Sequence, residues 1–406
     1  MFRKSIFITL SVLLHIPLVV GNNPASDWPQ FRGSLRNGSS PVSPQAVEWP
    51  ENGPKLIWKQ DIGSGFSEVL VSGSELFTMF AEKTDSITGW EYLAAYDAQT
   101  GEELWRAQLD SVFIDVDNWG DGPRSTPFLD QDHLYCFTGF GKLMSVSRDN
   151  GAIGWSVDFI EAFGSTLPRW GYSSSPVVMG NLVMIETGGD QDRAFAAFNK
   201  HTGELVWAAG TGPAMYSSAI IAEIGGQTQI IHPNGRNLFS FDENGDSLWT
   251  YTMPIGSPMA SPLFIPPDKI FVSANNGVGG FMVKVTGQVV EEVFNTSAMK
   301  NDWSSSVYHD GHIYGFHLAS LQCISVEDGK RLWGKRGLGK GSLILIGDKL
   351  LALSDLGVLT MLEASPQGYI EMGSVEAIEG RSWTAPSYAN GRIYVRNHTQ
   401  MACFEL

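Results

Sequence analysis

One phrase recurs along this chain and limits what it can fold into. An apolar strand meets an Asp/Asn/Thr-Gly turn, and a large apolar residue follows the glycine by four positions. The clearest copies are Leu93-Ala94-Ala95-Tyr96-Asp97-Ala98-Gln99-Thr100-Gly101 leading to Trp105, and Phe195-Ala196-Ala197-Phe198-Asn199-Lys200-His201-Thr202-Gly203 leading to Trp207. Gly151 and Trp155, Gly245 and Trp249, and Gly329 and Trp333 keep the offset, while Gly368 places Met372 there. A copy near Gly287 is degenerate, because Glu291 holds the offset and Phe294 is the nearest bulky residue. The glycine supplies the positive φ of a tight hairpin, and the ring sits on the strand leaving it. A second strand pair precedes each hairpin, as in Val177-Val178-Met179-Gly180-Asn181-Leu182-Val183, so each unit has four strands. The bulky markers fall 39 to 52 residues apart, which is propeller spacing.

The chain ends at Leu406 after only three strands of a further unit, while Leu56-Ile57-Trp58-Lys59 matches the fourth strand Glu103-Leu104-Trp105-Arg106 without its turn. The expected fold is therefore all-β: an eight-bladed β-propeller of four-stranded blades, closed by an N-terminal outer strand that removes the open sheet edges. Seven blades remain only if the Gly287 unit is not a blade. The 45 glycines, 20 prolines and 17% charged residues suit many short strands joined by turns. The marker tryptophans read as packing between blades, each ring burying roughly 150–250 Å².

At the N-terminus, Arg3 and Lys4 precede an apolar run from Ile6 to Val20 and a small-residue site at Val19-Val20-Gly21, the pattern of a signal peptide over residues 1–21. His15 and Pro17 interrupt the run, which is short for a membrane anchor, and no later stretch is long enough to span a bilayer. The expected organisation is signal peptide 1–21, entry segment 22–53 and propeller 54–406, with export to the periplasm or beyond. The net charge of −16 and the lack of a basic run argue against nucleic acid. Cys136, Cys323 and Cys403 are too few for a disulfide framework; they read as small buried hydrophobes, with one pair across blades left open.

The phrase Asp97-Ala98-Gln99-Thr100-Gly101-Glu102-Glu103-Leu104-Trp105 resembles the tryptophan-docking repeat of pyrroloquinoline-quinone (PQQ) dehydrogenases. It also resembles that of the propeller lipoprotein of the outer-membrane β-barrel assembly machinery. The opening Asp27-Trp28-Pro29-Gln30-Phe31-Arg32-Gly33, followed by Asn37-Gly38, is similar to the entry segment of exported bacterial PQQ-like propellers. The likeness spans about residues 27–406 and speaks to fold, because one propeller scaffold hosts both enzymes and binding modules. For the enzymes it implies PQQ in the central funnel with calcium, an aspartate base and a vicinal cysteine pair. The chain has no such pair, and in Asn301-Asp302-Trp303-Ser304 only Asp302 matches, as a base. No lipid-attachment cysteine follows the apolar run, unlike the assembly lipoprotein.

In a propeller the connections entering the innermost strands form one mouth of the funnel, where ligands usually bind. Here each carries a serine whose ordinary role is to satisfy backbone groups at the crowded narrow end. Beside the serines stand Glu68, Arg124, Arg169, Tyr172, Tyr216, Asp302, Trp303, Arg381 and Trp383, the candidate ligand residues. The arginines, with Trp170, Trp303 and Trp383, suit an anionic or planar ligand. Alternatively, Glu68 and Asp302 pair with the arginines to hold blades together. Asp115, Asp117 and Asp121 lack EF-hand spacing and read as a solvated acidic turn, so no metal is assigned. No hydrolase or phosphate-loop motif appears. The favoured expectation is a non-catalytic exported propeller that binds a protein, peptide or glycan. The alternative is a PQQ- and calcium-dependent oxidoreductase acting on alcohols or sugars.

Overall fold

The computed structural model describes residues 27–41, 49–189 and 192–406; the expected signal peptide lies outside them. Eight antiparallel sheets follow one another along the chain. Blade 1 comprises the strands Leu70–Ser72, Glu75–Lys83, Gly89–Asp97 and Glu103–Ser111. The same up-and-down order builds blades 2 to 7 over residues 128–158, 177–209, 220–252, 263–296, 307–336 and 341–376. Blade 8 takes three strands from residues 387–405, and its outer strand is Lys55–Asp61 from the other end of the chain. The Gly287 unit is a full blade, the fifth, so the count is eight. First strands of neighbouring blades touch one another and ring a central channel.

Each strand's alternation gives both faces of a blade something apolar to bury, so the core is divided into clusters between blades. Leu70, Phe77 and Met79 of blade 1 meet Leu134, Cys136 and Met144 of blade 2, and equivalent clusters repeat around the ring. The three cysteines are buried and free.

The hairpin phrase works as a latch. Trp58, Trp105, Trp155, Trp207 and Phe294 each lie against the turn glycine of the next blade, respectively Gly101, Gly151, Gly203, Gly245 and Gly329, where a Cβ would sit 2.5–2.8 Å from the ring. Four of the indole N–H groups also donate to that turn, as Trp105 does to Arg148 O at 3.0 Å and Trp155 to Lys200 O at 3.0 Å. The degenerate blade-5 turn breaks the pattern: nothing lies within 4 Å of a Cβ at Gly287, and Trp249 Nε1 turns to Gln229 Oε1 of its own blade at 2.8 Å.

The segment 27–41 fills the channel. Trp28 pairs antiparallel with Val71, the chain turns through Gly33 and Gly38, and Ser39–Ser40 returns parallel to the first strand of blade 7. Arg32, Gly33, Arg36 and Gly38 all hold positive φ (62°, 79°, 54° and 80°), which lets a tight double turn fit the bore. Arg36 reaches three channel carbonyls: Nε donates to Ala219 O at 2.7 Å, Nη1 to Pro176 O at 3.0 Å and Nη2 to Ser175 O at 2.6 Å. Arg32 Nη2 donates to Ser306 O at 2.6 Å and to Asn37 O at 2.7 Å. These contacts tie the segment to blades 3, 4 and 6, so the channel is plugged by the protein's own chain.

Candidate functional site

Above the plug lies a cup of about 360 Å³, within the size range of small-molecule sites. Phe31 and Arg32 line its base. The serine-bearing entries form the narrow belt around it, and their hydroxyls accept backbone N–H groups from the preceding blade. Glu68 N donates to Thr126 Oγ1, Thr126 N to Ser175 Oγ and Ser175 N to Ser218 Oγ, each at 2.9 Å. The serines therefore stitch blade to blade where the first strands crowd together, as their repetition in the sequence suggested.

The walls are aromatic. Trp303 and Trp383 lie 4.5 Å apart between ring centroids, with Trp119 5.8 Å and Phe66 5.6 Å from Trp383. Across the cup, Trp170 and Tyr216 are 5.2 Å apart. Next to Trp303 sits a polar cluster: Asp302 accepts Lys340 Nζ at 2.7 Å and Asn275 Nδ2 at 2.8 Å, and the Lys340 ammonium lies over the Trp303 ring at 4.6 Å. Trp303 Nε1 and Ser304 Oγ find no hydrogen-bond partner in the protein.

Of the residues singled out from sequence, Glu68, Arg124, Tyr216, Asp302, Trp303 and Trp383 line the cup. Arg169 stands at its rim, paired with Asp117 at 2.6 Å. Arg381 caps Trp383 at 4.9 Å and donates to the carbonyls of Asn118 and Trp119. Tyr172 does not reach the cup. Gly171, at φ 70°, turns the chain so that the Tyr172 ring packs against Phe137 and Phe159 in the core, and its hydroxyl donates to Thr187 O. Sequence reasoning missed Lys340 and Asn275. Lys340 directly precedes the Gly341-Ser342 entry and was open to detection; Asn275 comes from the connection between the second and third strands of its blade.

The acidic turn also differs from expectation. Asp115 is almost fully buried and pairs with Arg124 at 2.5 Å; Asp117 holds Arg169 and accepts Trp170 Nε1 at 2.8 Å; Asp121 binds Lys83 at 2.7 Å. The loop supplies a buried counter-charge to Arg124 and a solvent-exposed one to Arg169. The arginine and tryptophan contacts hold Asp117 down to about 2. Arg124 and Arg169 are thus ion-paired, but with Asp115 and Asp117 in place of Glu68 and Asp302, while Arg381 bonds to carbonyls.

Glu68 serves the plug: its Oε2 accepts Arg32 N at 2.8 Å and Trp28 Nε1 at 3.4 Å. Burial raises its carboxyl from 4.5 to about 7, against the pull of those donors and of Arg32. Because the folded value exceeds the unfolded one, Glu68 contributes stability below about pH 4.5 that is lost as pH rises through about 7. Burial also raises Glu91 to about 7, with the same sign. Melting temperature in Glu68→Gln is therefore expected to fall less steeply than in wild type between about pH 5 and 8, by differential scanning fluorimetry. Identical slopes would show that ionising Glu68 carries no cost.

Residues 89–335 match the pattern of a protein family described as outer membrane protein assembly factor BamB. The chain belongs to that family. No curated protein matches this BamB-family chain in sequence. Among solved structures it is similar to BamB from Moraxella catarrhalis, with 14% identity and TM-score 0.59 over 86% of this chain and 98% of that one. It is also similar to the quinohemoprotein alcohol dehydrogenase from Comamonas testosteroni, at 10% identity and TM-score 0.67, covering 95% and 81% of the two chains. A europium-containing methanol dehydrogenase matches at 10% identity and TM-score 0.63, covering 94% and 98%. At these identities the likeness shows the propeller fold alone. Among the described residues, no helix of this BamB-family propeller is long and apolar enough to cross a membrane.

The side chains around Asp302 do not suit a calcium-bound quinone. Calcium takes about six to eight oxygen ligands. Asp302 already engages an ammonium group and an amide, and Lys340 would repel a second cation beside it. Among the described residues, no three acidic, histidine or cysteine side chains come together as a metal set.

Proposed function

We propose that this BamB-family propeller is an exported, non-catalytic binding module that takes a protein or glycan partner of the cell envelope into the aromatic cup at its mouth. One observation carries the reading: the channel beneath the cup is sealed by the chain's own segment 27–41, so the rings of Phe66, Trp119, Trp170, Tyr216, Trp303 and Trp383 enclose a blind recess. Aromatic rings around a recess supply large, rigid contact area at low conformational cost. The description of the family as an outer-membrane assembly factor supports an envelope partner.

The test compares capture from solubilised cell envelopes by immobilised wild type, Trp383→Ala and Asp302→Ala, with melting curves confirming that each is folded. Retention is expected to drop at least about tenfold in both variants, the scale on which interface aromatics contribute. Equal capture by all three would overturn the mouth as the binding site. A parallel calorimetric titration with PQQ and calcium separates the dehydrogenase-like alternative: saturable binding weakened by Asp302→Ala would replace a binding module with a cofactor protein.

A further inference from the structure

We infer that the occupant of the cup is an uncharged saccharide, a pyranose-based oligosaccharide that lies against the aromatic wall of the cup and hydrogen-bonds to Asp302, Asn275 and Lys340. This names the ligand of the proposed binding module and rests on that reading.

Three observations lead there. The first concerns charge. Arg124 is paired with Asp115 at 2.5 Å, Arg169 with Asp117 at 2.6 Å and Lys340 with Asp302 at 2.7 Å. Of these only the Arg124–Asp115 pair is buried, and an anionic ligand that drew Arg124 away would leave Asp115 without its counter-charge, which costs more than a new pair returns. A neutral ligand leaves them intact.

The second is the position of polar groups at the edge of an aromatic wall. Trp303 and Trp383 pack on one another, with the Lys340 ammonium over Trp303 and the Arg381 guanidinium over Trp383, and beside these apolar rings Asp302 accepts, Lys340 donates and Asn275 does both. A purely apolar side chain would desolvate these groups without replacing their bonds to water, a net loss. A pyranose presents the opposite pattern: a flat face of C–H groups to lie on an indole, and a rim of hydroxyls that both donate and accept. Aspartate and asparagine oxygens take two hydroxyl protons, and the remaining Lys340 N–H groups bond hydroxyl oxygens, without disturbing the Lys340–Asp302 contact.

The third observation is unfilled bonding capacity. Ser304, which lines the cup, is only 7% exposed, yet its hydroxyl has no partner in the protein, and neither has Trp303 Nε1 beside it. Buried polar atoms are nearly always satisfied, and an oxygen-rich ligand in the cup would satisfy both; the equivalent hydroxyls of Ser125 and Ser174 are also unpartnered but do not line the cup. The cup's 360 Å³ and its sealed base admit a short run of sugar rings from the mouth side and exclude a folded domain.

Titration of the full chain with cellotetraose, maltotetraose and tri-N-acetylchitotriose, followed by tryptophan fluorescence and calorimetry, tests the inference. At least one is expected to bind saturably with a Kd below about 1 mM. Because the ligand is neutral, the affinity should hold within about twofold from low to about 0.5 M salt. Trp383→Ala and the shape-conserving Asp302→Asn should each weaken it at least tenfold, while Lys330→Ala on the outer rim leaves it unchanged. If Trp383→Ala fails to fold, Asp302→Asn carries the comparison. Binding of the hydrophobic peptide acetyl-Leu-Phe-Leu-amide with none of the saccharides overturns the inference. So does binding only of a heparin tetrasaccharide, lost in salt. Loss of saccharide binding alone, with mouth-dependent envelope capture retained, overturns the saccharide and leaves the binding module standing. Loss of both removes both.

Discussion

Trp155→Ala is expected to destabilise the protein by about 3–5 kcal/mol, the cost of truncating a large ring at a packed site. Trp155 sits on the outer strand of blade 2 and lies under Gly203 of blade 3, with its N–H bonded to Lys200 O. Its loss removes a ring contact and a hydrogen bond at the same junction, so the blades lose a latch as well as area. The complementary change tests the same contact from the other side. Gly203→Ala places a Cβ 2.7 Å from the Trp155 ring at a backbone φ of 76°, so it must strain the turn and displace the ring. Gly287→Ala meets nothing within 4 Å and should cost only the left-handed backbone term, about 1–2 kcal/mol. Urea unfolding of the three variants checks the order. Equal losses at Gly203 and Gly287 would show that the glycine is needed for its φ alone and that the ring contact contributes nothing.

Arg36→Ala is expected to cost roughly 2–4 kcal/mol and to loosen the plug. The guanidinium is buried and donates to three backbone carbonyls that line the channel, Ser175 O, Pro176 O and Ala219 O. Alanine leaves them facing a void without donors, at about 1–3 kcal/mol each, partly offset by releasing a charge whose burial already lowers its pKa to about 9. Arg36→Lys should recover little, because an ammonium on a flexible stem cannot span three acceptors held in a fork. Limited proteolysis gives a second readout: cleavage within residues 27–41 should appear in Arg36→Ala well before the blades are cut. A melting temperature within about 1 °C of wild type, with the segment still protected, would mean that Trp28 and Arg32 hold the plug without Arg36.

The candidate site was legible in sequence to the extent that its residues stand beside the serine of an innermost strand. Asp302, Trp303 and Trp383 were found this way, because the propeller brings every such connection to one mouth. The same rule placed Tyr172 wrongly. It locates a residue on the ring of connections without saying whether the side chain rises into the cup or folds back, and at Gly171 the turn sends it back. The acidic run 115–121 misled for a related reason. Three aspartates in seven residues look solvated until Arg124, from the same connection, and Arg169, from the connection entering the next blade, are seen to lie against them.

The repeating turn-and-tryptophan phrase determined the strand count, the blade count and the closure by Lys55–Asp61, since each follows from hairpins whose geometry is set within about ten residues. Even the weak latch at Gly287 was visible as a departure from the phrase. What only the tertiary structure decided are the contacts made across the ring: Arg36 with Ala219, Glu68 with Arg32, Asp302 with Lys340, Arg381 with Trp119. Local chain geometry repeats and leaves a periodic trace. The plug and the cup are built once, from residues tens to hundreds of positions apart, and their partners are selected by burial and charge in a space that exists only after the ring has closed.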